Sequence, residues 1–416
     1  MKLHTLLDEV RLTVGGSCLK FFSLAAIALA LAACAPFQGQ QGSGLEDLAD
    51  PPPFPQFVRY PAEQPVISSG SAGVPIMVFD PHVYADDEGY HLFYTTSFCR
   101  RLYSLAYTFD PAAPDYCNIV NAVGSTGYAF SSDRGLSWEF RQTPVVLPAY
   151  SGFDSAKIET AHVFRLGNTL YLSYSADGDI GGRKLEARHQ IGIAKLELGR
   201  RSVREALLEE NDSFKRRSRP MLAYSMEEGK LNNNVQEPSV VIRDDRVELY
   251  YIALGLKLPE EAATAPGQKI TSITLGRADF GSGLAAISAP EERLATGVNI
   301  TEIKYFDEMY HLFGTSLVSG EFHQGEELIY ATSPDGRSWS SNQILLAPGD
   351  QPTFDNWGLM APTAVVEEDR IIMFYTAYEV DPNPCFPIPR DGRFGRPVVG
   401  GQKCVRATLG RAVSAR

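Results

Sequence analysis

The 416-residue sequence lacks an excess of basic charge, a long apolar run and several familiar catalytic motifs. Its 38 Lys and Arg residues face 50 Asp and Glu residues, a formal charge of −12, so it offers no basic surface for a nucleic acid. It has no glycine-rich phosphate loop, Gly-x-Ser-x-Gly elbow or His-Glu-x-x-His motif, which argues against nucleotide-binding, serine-hydrolase and zinc-protease chemistry. The overall composition, with 44% apolar and 21% charged residues, is typical of a packed protein.

An uncharged apolar run of 13 residues, Phe21 to Ala33, is too short to span a bilayer, which needs about 20 residues. It ends in Leu-Ala-Ala-Cys34, which resembles a bacterial lipobox, where cleavage precedes a cysteine that carries lipid. The resemblance implies a signal peptide over residues 1–33 and a lipid-anchored protein of the cell envelope, periplasmic or surface-exposed. A buried N-terminal helix with an incidental cysteine is the alternative. Residues 34–60, rich in Gln, Gly and Pro, are expected to form a flexible tether.

Four of the six cysteines form two local pairs, Cys99 with Cys117 and Cys385 with Cys404. An exported compartment permits a disulfide in each pair, and each bridge would stabilise the protein by up to about 3 kcal/mol. A metal site is the weaker alternative, because no Cys-x-x-Cys or histidine cluster accompanies these residues. We therefore expect two disulfides and neither a metal nor a cofactor.

A degenerate pattern recurs five times: a short apolar strand, a polar turn and an aromatic-rich alternating strand, which together predict a β-hairpin. The copies begin at Asp80-Pro-His-Val, Glu159-Thr-Ala-His-Val, Glu237-Pro-Ser-Val, Glu302-Ile-Lys-Tyr and Ala361-Pro-Thr. Five copies of about 68 residues predict an all-β, five-bladed β-propeller with a central axial pocket, assigned to residues 61–416. A segment near Phe57 to Ser69 would supply the closing strand. A β-sandwich or two barrels is the alternative.

Two copies continue into tight turns that end in tryptophan, Ser131-Ser-Asp-Arg-Gly-Leu-Ser-Trp138 and Thr332-Ser-Pro-Asp-Gly-Arg-Ser-Trp339. Glycine in each turn supplies positive φ. The first turn resembles the Asp-box hairpin of sialidase-like propellers, whose meaning is structural. The resemblance implies that Trp138 and Trp339 pack between blades.

The first strand of each blade lines the axis of a propeller, so the residues that begin the five hairpins converge at one end of it. These residues are Asp80, Glu159 or Thr160, Glu237, Glu302 and Ala361. Carboxylates around one opening repel each other and are seldom kept for stability, so they indicate a catalytic or binding site. The alternative for each is a strand-end acid that faces solvent.

The hairpins resemble the five-bladed propeller glycoside hydrolases related to families 43, 32, 62 and 68. In that group a blade-one Asp is base or nucleophile, a blade-three Glu is general acid, and a blade-two Asp tunes the pKa of the acid. The resemblance implies that Asp80 is the base and Glu237 the acid. Blade two departs from the pattern, because Thr160 is in register with Asp80 and Glu159 lies one residue earlier, where only a bulge would turn it to the axis. Glu159 is the expected tuning residue, with Asp154 as a further candidate.

Side chains near the hairpin starts are candidates for sugar contact: Trp357 by stacking, and Glu302, His82 and His162 by lining the opening. Two histidines at strand positions are more often satisfied polar groups of the core, which is the alternative for His82 and His162. The Phe-Asp pairs at 153–154 and 354–355 recur, which favours a loop-anchoring role for them.

Together these features predict an exported, lipid-anchored, monomeric glycoside hydrolase that cleaves poly- or oligosaccharides with paired carboxylates. The Asp-Pro and Glu-Pro settings of Asp80 and Glu237 resemble family 43, which implies inversion and a carboxyl separation of about 6.5–9.5 Å. A surface glycan-binding propeller that has lost catalysis is the alternative.

Overall fold

The computed structural model describes residues 55–68, 78–99, 104–105, 122–179, 189–225, 234–257, 269–317, 324–350, 353–381, 398–399 and 403–415. This part of the chain is nearly all β, as the sequence predicted, with 23 strands and one short π-helix, Glu205–Glu209. No helix within it is long and apolar enough to cross a bilayer. The predicted signal peptide, Cys34 and the side chains of the four paired cysteines lie outside the described residues.

Two short strands, β1 (Val58–Arg59) and β2 (Ile67–Ser68), precede five antiparallel units. Unit one contains β3 (Phe79–Ala85), β4 (Tyr90–Cys99) and β6 (Ala122–Ser131), with β5 (Ser104–Leu105) and β7 (Glu139–Phe140) at its edges. Unit two contains β8 (Gly152–Leu166), β9 (Thr169–Asp179), β10 (Gln190–Glu197) and β11 (Lys215–Arg216). Unit three contains β12 (Asn234–Arg243), β13 (Arg246–Lys257), β14 (Lys269–Gly281) and β15 (Glu291–Thr296).

Unit four contains β16 (Val298–Phe306), β17 (Met309–Ser316), β18 (Leu328–Ser333) and β19 (Gln343–Leu346). Unit five contains β20 (Gly358–Val366), β21 (Arg370–Asp381) and β23 (Lys403–Ala415), with β22 (Val398–Val399) beside β23. Backbone pairing groups the units into four sheets, because a parallel bridge between Gly124 and Lys157 joins units one and two. The first strands β3, β8, β12, β16 and β20 contact one another in that order, and β20 contacts β3. The five first strands therefore surround a common axis.

The N-terminal strands complete unit five, as the sequence predicted. Val58 of β1 pairs with Val413 of β23, and Ile67 of β2 pairs with Leu409 of the same strand. Phe57 is buried and lies edge-on against Phe313, with 6.5 Å between the ring centroids. The packed part of the protein therefore includes Phe57, a few residues inside the segment that was expected to be a tether.

A tyrosine on the second strand lies across a glycine on the third strand in four units. The pairs are Tyr94 with Gly127, Tyr174 with Gly192, Tyr251 with Gly276 and Tyr375 with Gly410. A Cβ atom on Gly410 would lie 2.3 Å from Cζ of Tyr375, which no side chain tolerates. In unit four the glycine lies on the second strand instead, where Gly314 pairs with Ile329 of the third strand. The sequence Thr-Leu-Gly-Arg-Ala occurs at residues 274–278 and again at 408–412, and its glycine makes room for a buried ring in both units.

The two tryptophan turns have the structural role that the sequence predicted. In the first turn Asp133 accepts hydrogen bonds from the backbone N–H groups of Leu136 and Ser137. In the second turn burial acts to raise the pKa of Asp335, but backbone and side-chain hydrogen-bond donors outweigh it and hold that pKa at about 2. The Trp138 ring lies 5.7 Å from Phe374 of unit five, centroid to centroid. The Trp339 ring lies 6.3 Å from Tyr250 of unit three. Both tryptophans therefore pack between neighbouring units.

Candidate active site

Each first strand carries a β-bulge at the same place, and the residue that enters the bulge has positive φ. These five residues, the bulge ring, are Asp80 (φ 48°), Thr160 (50°), Glu237 (57°), Ile300 (38°) and Ala361 (51°). Non-glycine residues rarely adopt such φ values, and they cluster at functional sites. The shared backbone conformation turns all five side chains toward the common axis.

The expectation that Glu302 belongs to this ring is wrong. In unit four Asn299 pairs with Thr315 and Glu302 pairs with Phe313, so the bulge takes up Ile300 and Thr301 between them. Glu302 therefore lies two residues past the bulge ring. The carboxylates of the ring itself are Asp80 and Glu237.

A second ring lies two residues further along each first strand, and each of its side chains bonds to the backbone of a neighbouring unit. Its members are His82, His162, Ser239, Glu302 and Thr363. The His82 ring contacts the Val163 carbonyl at 3.1 Å, and the His162 ring bonds to that of Val240. Ser239, Glu302 and Thr363 accept backbone N–H groups of residues 303, 364 and 83. These bonds link the five units in a closed circle.

The bulge ring and three members of the second ring line a cavity of about 30 Å³ on the axis, which has room for one or two water molecules. Its lining consists of Asp80, Pro81, His82, Thr160, Ala161, His162, Glu237, Pro238, Ile300, Thr301, Glu302, Ala361 and Pro362. Asp80 Oδ1 and Glu237 Oε2 are buried and have no hydrogen-bond partner among the described residues. Buried carboxyl oxygens are seldom left unpaired, so these two atoms are available to a ligand or to water.

The electrostatics of the pair separate its two members. Burial, followed by the charge of Glu159, raises the pKa of Asp80 to about 8, while a hydrogen bond from the Thr95 hydroxyl and the ammonium of Lys157 oppose this rise. Burial and then the charges of Asp80 and Glu159 raise the pKa of Glu237 well above its ordinary value. The Thr95 bond favours an ionised Asp80, and the charge of an ionised Asp80 favours a protonated Glu237, an arrangement that gives one base and one acid.

Glu159 is buried beside this pair although Thr160 holds the ring position of unit two. Its carboxylate contacts the Lys157 ammonium at 2.8 Å and the His189 imidazole, also at 2.8 Å. Burial acts to raise the pKa of Glu159, but Lys157 and His189 outweigh it and hold the pKa at about 2. Glu159 is thus ionised at neutral pH, and its charge acts on both Asp80 and Glu237.

The second ring brings together three of the residues predicted to line the opening. His82 Nδ1 lies 3.6 Å from Glu302 Oε1, and the rings of His82 and His162 are 4.0 Å apart. Burial lowers the pKa of His82 to about 4, so this imidazole is neutral at pH 7. Ligand atoms of the three residues lie within 4.8 Å of one another, close enough to share a cation. The ammonium of Lys304 already pairs with Glu302, so this cluster is balanced as it stands.

Two further candidates belong to the packing around the site. Trp357, expected to stack on a sugar, is only 7% exposed and lies in an apolar cluster with Ile300 and Met360, so its ring is part of the core. Asp154 accepts hydrogen bonds from Tyr174 at 3.0 Å and from Arg216 at 2.6 Å. Asp154 therefore has an anchoring role, as the recurrence of the Phe-Asp pair favoured, but it lies in a strand and ties the start of β8 to β9 and β11 instead of holding a loop.

Sequence reasoning missed three residues of the site. Lys157 could have been found, because it precedes Glu159 by two positions on one strand and shares its face. His189 carries no local signal, since it lies 30 residues after Glu159, directly before β10. Tyr378 is buried, and burial together with the charges of Asp80 and Glu326 raises its pKa.

Neither a protein-family model nor a curated protein matches the sequence. Solved structures do match. A glycoside hydrolase structure aligns at 12% identity over 86% of this chain and 91% of its own, with a TM-score of 0.51. A structure from work on the GH130 family of mannoside phosphorylases, which contains glycoside hydrolases that target β-1,2-mannosidic linkages in Candida mannan, aligns at 13% identity over 90% of this chain and 96% of its own, with a TM-score of 0.52.

An N-acetylgalactosamine deacetylase from F. plautii, solved with blood group B trisaccharide, aligns at 14% identity over 85% of this chain and 95% of its own, with a TM-score of 0.50. At these identities the alignments establish the fold alone. The chain therefore has the β-propeller fold that such glycoside hydrolases share.

Proposed function

We propose that this protein is a glycoside hydrolase built on a five-bladed β-propeller, with each antiparallel unit as one blade. The observation that carries the proposal is the pair of buried carboxyls, Asp80 and Glu237, at equivalent bulges around one axial cavity. Glycosidic cleavage needs an acid to protonate the leaving oxygen and a carboxylate to activate water or attack the sugar. Asp80 serves as the base and Glu237 as the acid, because the Thr95 hydroxyl favours an ionised Asp80 and the charge of Asp80 favours a protonated Glu237.

Glu159 tunes the pair in this proposal. Its permanent negative charge raises the pKa of Glu237, which keeps the acid protonated until it acts. Lys157 and His189 hold Glu159 in place and ionised.

The reaction is proposed to invert the anomeric configuration. An inverting pair needs room for a water molecule between the carboxyl groups, and the axial cavity of about 30 Å³ offers that room. An NMR spectrum of the first-formed product that shows the substrate's own anomeric configuration contradicts inversion.

The substrate is proposed to be a poly- or oligosaccharide, and the protein to be exported and attached to a membrane through lipid on Cys34. Structural neighbours described as glycoside hydrolases support the first part. The lipobox-like sequence supports the second. Intact mass of the membrane-extracted protein tests it, since an unmodified N-terminus contradicts lipidation.

Purified protein is expected to release reducing sugar from at least one of arabinan, xylan, fructan, galactan and β-1,2-mannan. Asp80→Asn and Glu237→Gln should each lower kcat by about 10²- to 10⁴-fold. Asp154→Asn removes a buried carboxylate outside the cavity and is the matched control, expected to keep activity where it folds. Oligosaccharide binding without any product, or activity that survives both ring variants, overturns the proposal.

A further inference from the structure

One position on each second strand lies beside the bulge ring. The residue at this position carries a hydroxyl in the unit of Asp80 and is apolar in the unit of Glu237. These residues, the collar, are Thr95, Ser175, Ile252, Thr315 and Thr376. Each pairs across the sheet with the residue just before the bulge of its own unit. All five are buried.

The collar hydroxyls share one structural task. Each accepts the backbone N–H of the ring residue in the next unit: Thr95 from Thr160 at 2.9 Å, Ser175 from Glu237 at 2.7 Å, Thr315 from Ala361 at 3.0 Å and Thr376 from Asp80 at 3.0 Å. A hydroxyl that accepts an N–H still has its own proton to donate. Where that proton goes depends on the ring residue of its own unit.

Unit one places a carboxyl within reach of that proton. The Thr95 hydroxyl donates to the Asp80 carboxyl, a bond that favours the ionised form of Asp80. In units four and five the bulge-ring residues are Ile300 and Ala361, so the bulge ring offers the hydroxyls of Thr315 and Thr376 no carboxyl from their own unit.

Unit three is the exception in the collar, and it carries the other carboxyl. Ile252 occupies in unit three the position that Thr95 occupies in unit one, since each pairs with the residue just before the bulge. Because isoleucine has no hydroxyl, the collar residue of unit three cannot donate a hydrogen bond to Glu237. Glu237 Oε1 accepts only a long bond of 3.2 Å from the neighbouring Gln236 amide, and Oε2 has no partner among the described residues. An apolar neighbour disfavours the ionised form of a buried carboxyl.

We propose that the collar assigns the two catalytic roles: Thr95 is a positioning residue that makes Asp80 the base, and Ile252 is a positioning residue that leaves Glu237 the acid. This inference rests on the proposed function for the names of the roles. The other charged or titratable groups that act on the pair are Lys157, Glu159 and Tyr378. To the effects of these groups the collar adds a hydrogen bond to Asp80 that Glu237 lacks.

The test compares Thr95→Val and Ile252→Thr with Thr315→Val in the full-length protein. Thr315→Val loses the same kind of backbone hydrogen bond as Thr95→Val but touches no carboxyl, so it is the matched control. Thr95→Ser keeps the hydroxyl and should restore the wild-type profile. Two readouts are used: the pH dependence of kcat/KM, and carboxyl ¹³C NMR titration of labelled Asp and Glu, with Asp80→Asn and Glu237→Gln to identify the signals.

Thr95→Val is expected to raise the pKa of Asp80, and with it the acidic limb of the profile, by about one pH unit, the size expected for one hydrogen bond to a carboxylate. Ile252→Thr should lower the pKa of Glu237 and the basic limb by a similar amount. Equal shifts in Thr95→Val and Thr315→Val, or an unmoved Glu237 in Ile252→Thr, overturn the proposal. Because the NMR titration needs no substrate, it decides the collar's effect even if no glycoside is cleaved, which would instead refute the proposed function.

Discussion

Replacing Asp80 with asparagine is expected to lower kcat strongly and to make the protein more stable at neutral pH. Asp80 is 4% exposed, and burial followed by the Glu159 charge raises its pKa from an ordinary value of 3.8 to about 8. The native state therefore binds a proton that the unfolded chain releases between these two pH values. Stability contributed by this side chain is complete below pH 3.8 and falls as pH rises toward 8.

The size of the effect follows from the same shift. Each pH unit above 3.8 costs the native state about 1.4 kcal/mol, so the penalty at pH 7 is about 4 kcal/mol. Asparagine cannot ionise, keeps an oxygen that can accept the Thr95 hydroxyl, and tolerates the positive φ of 48° at this position. Asp80→Asn should thus melt several degrees above the wild type at neutral pH.

Thermal melting of both proteins from pH 4 to pH 8 measures this. The two melting temperatures should be close at pH 4, and the gap should widen with pH. Asp355→Asn is the control with the opposite sign, because Asp355 is fully buried and accepts a hydrogen bond from Arg59 at 2.5 Å, so the substitution removes the carboxylate that pairs with this guanidinium. An Asp80→Asn protein that melts at or below the wild-type temperature at pH 7.5 refutes the reasoning.

Two other substitutions test the neighbourhood and the fold. Glu159→Gln removes a charge that raises the pKa of both Asp80 and Glu237, so both limbs of the pH profile of kcat/KM should move about one unit to lower pH; a profile that stays or moves upward contradicts this. Gly410→Ala should destabilise the protein by about 1–3 kcal/mol in denaturant titration, because its Cβ would lie 2.3 Å from Cζ of Tyr375. Gly281→Ala, whose Cβ would have no atom within 4 Å, is the neutral control, and equal effects of the two would disprove the packing argument.

The sequence predicted those features that depend on local pattern. A hairpin's alternating apolar residues and polar turn lie within about a dozen consecutive residues. The hairpins and the closing segment near Ile67 were therefore recognisable from the sequence. The sequence also predicted that Asp80 and Glu237 lie together, because each directly precedes proline at the equivalent position of its hairpin. The tryptophan turns were recognisable because their glycine and Asp serve the turn itself.

Features that depend on the bulge or on distant contacts were not predictable. A bulge adds a residue without changing composition, so the ring position of unit four was assigned to Glu302 when it belongs to Ile300. His189, directly before β10, meets Glu159 of β8 only because both strands pair with β9, and no sequence spacing predicts that contact. The collar was hidden for the same reason, since Thr95 and Ile252 lie within ordinary strand sequences.

The pairing of β1 and β2 with β23 makes the completion of the molecule depend on synthesis of the whole chain. The 334 residues between Ser68 and Lys403 must emerge first, which takes on the order of 20 to 70 s at ribosomal speed. During that interval the N-terminal segment has no partner strand, and four units can form while the fifth cannot. A ribosome-bound chain that stops before β23 is therefore an open ring, whose unpaired strand edges are surfaces on which chaperones or other nascent chains can bind.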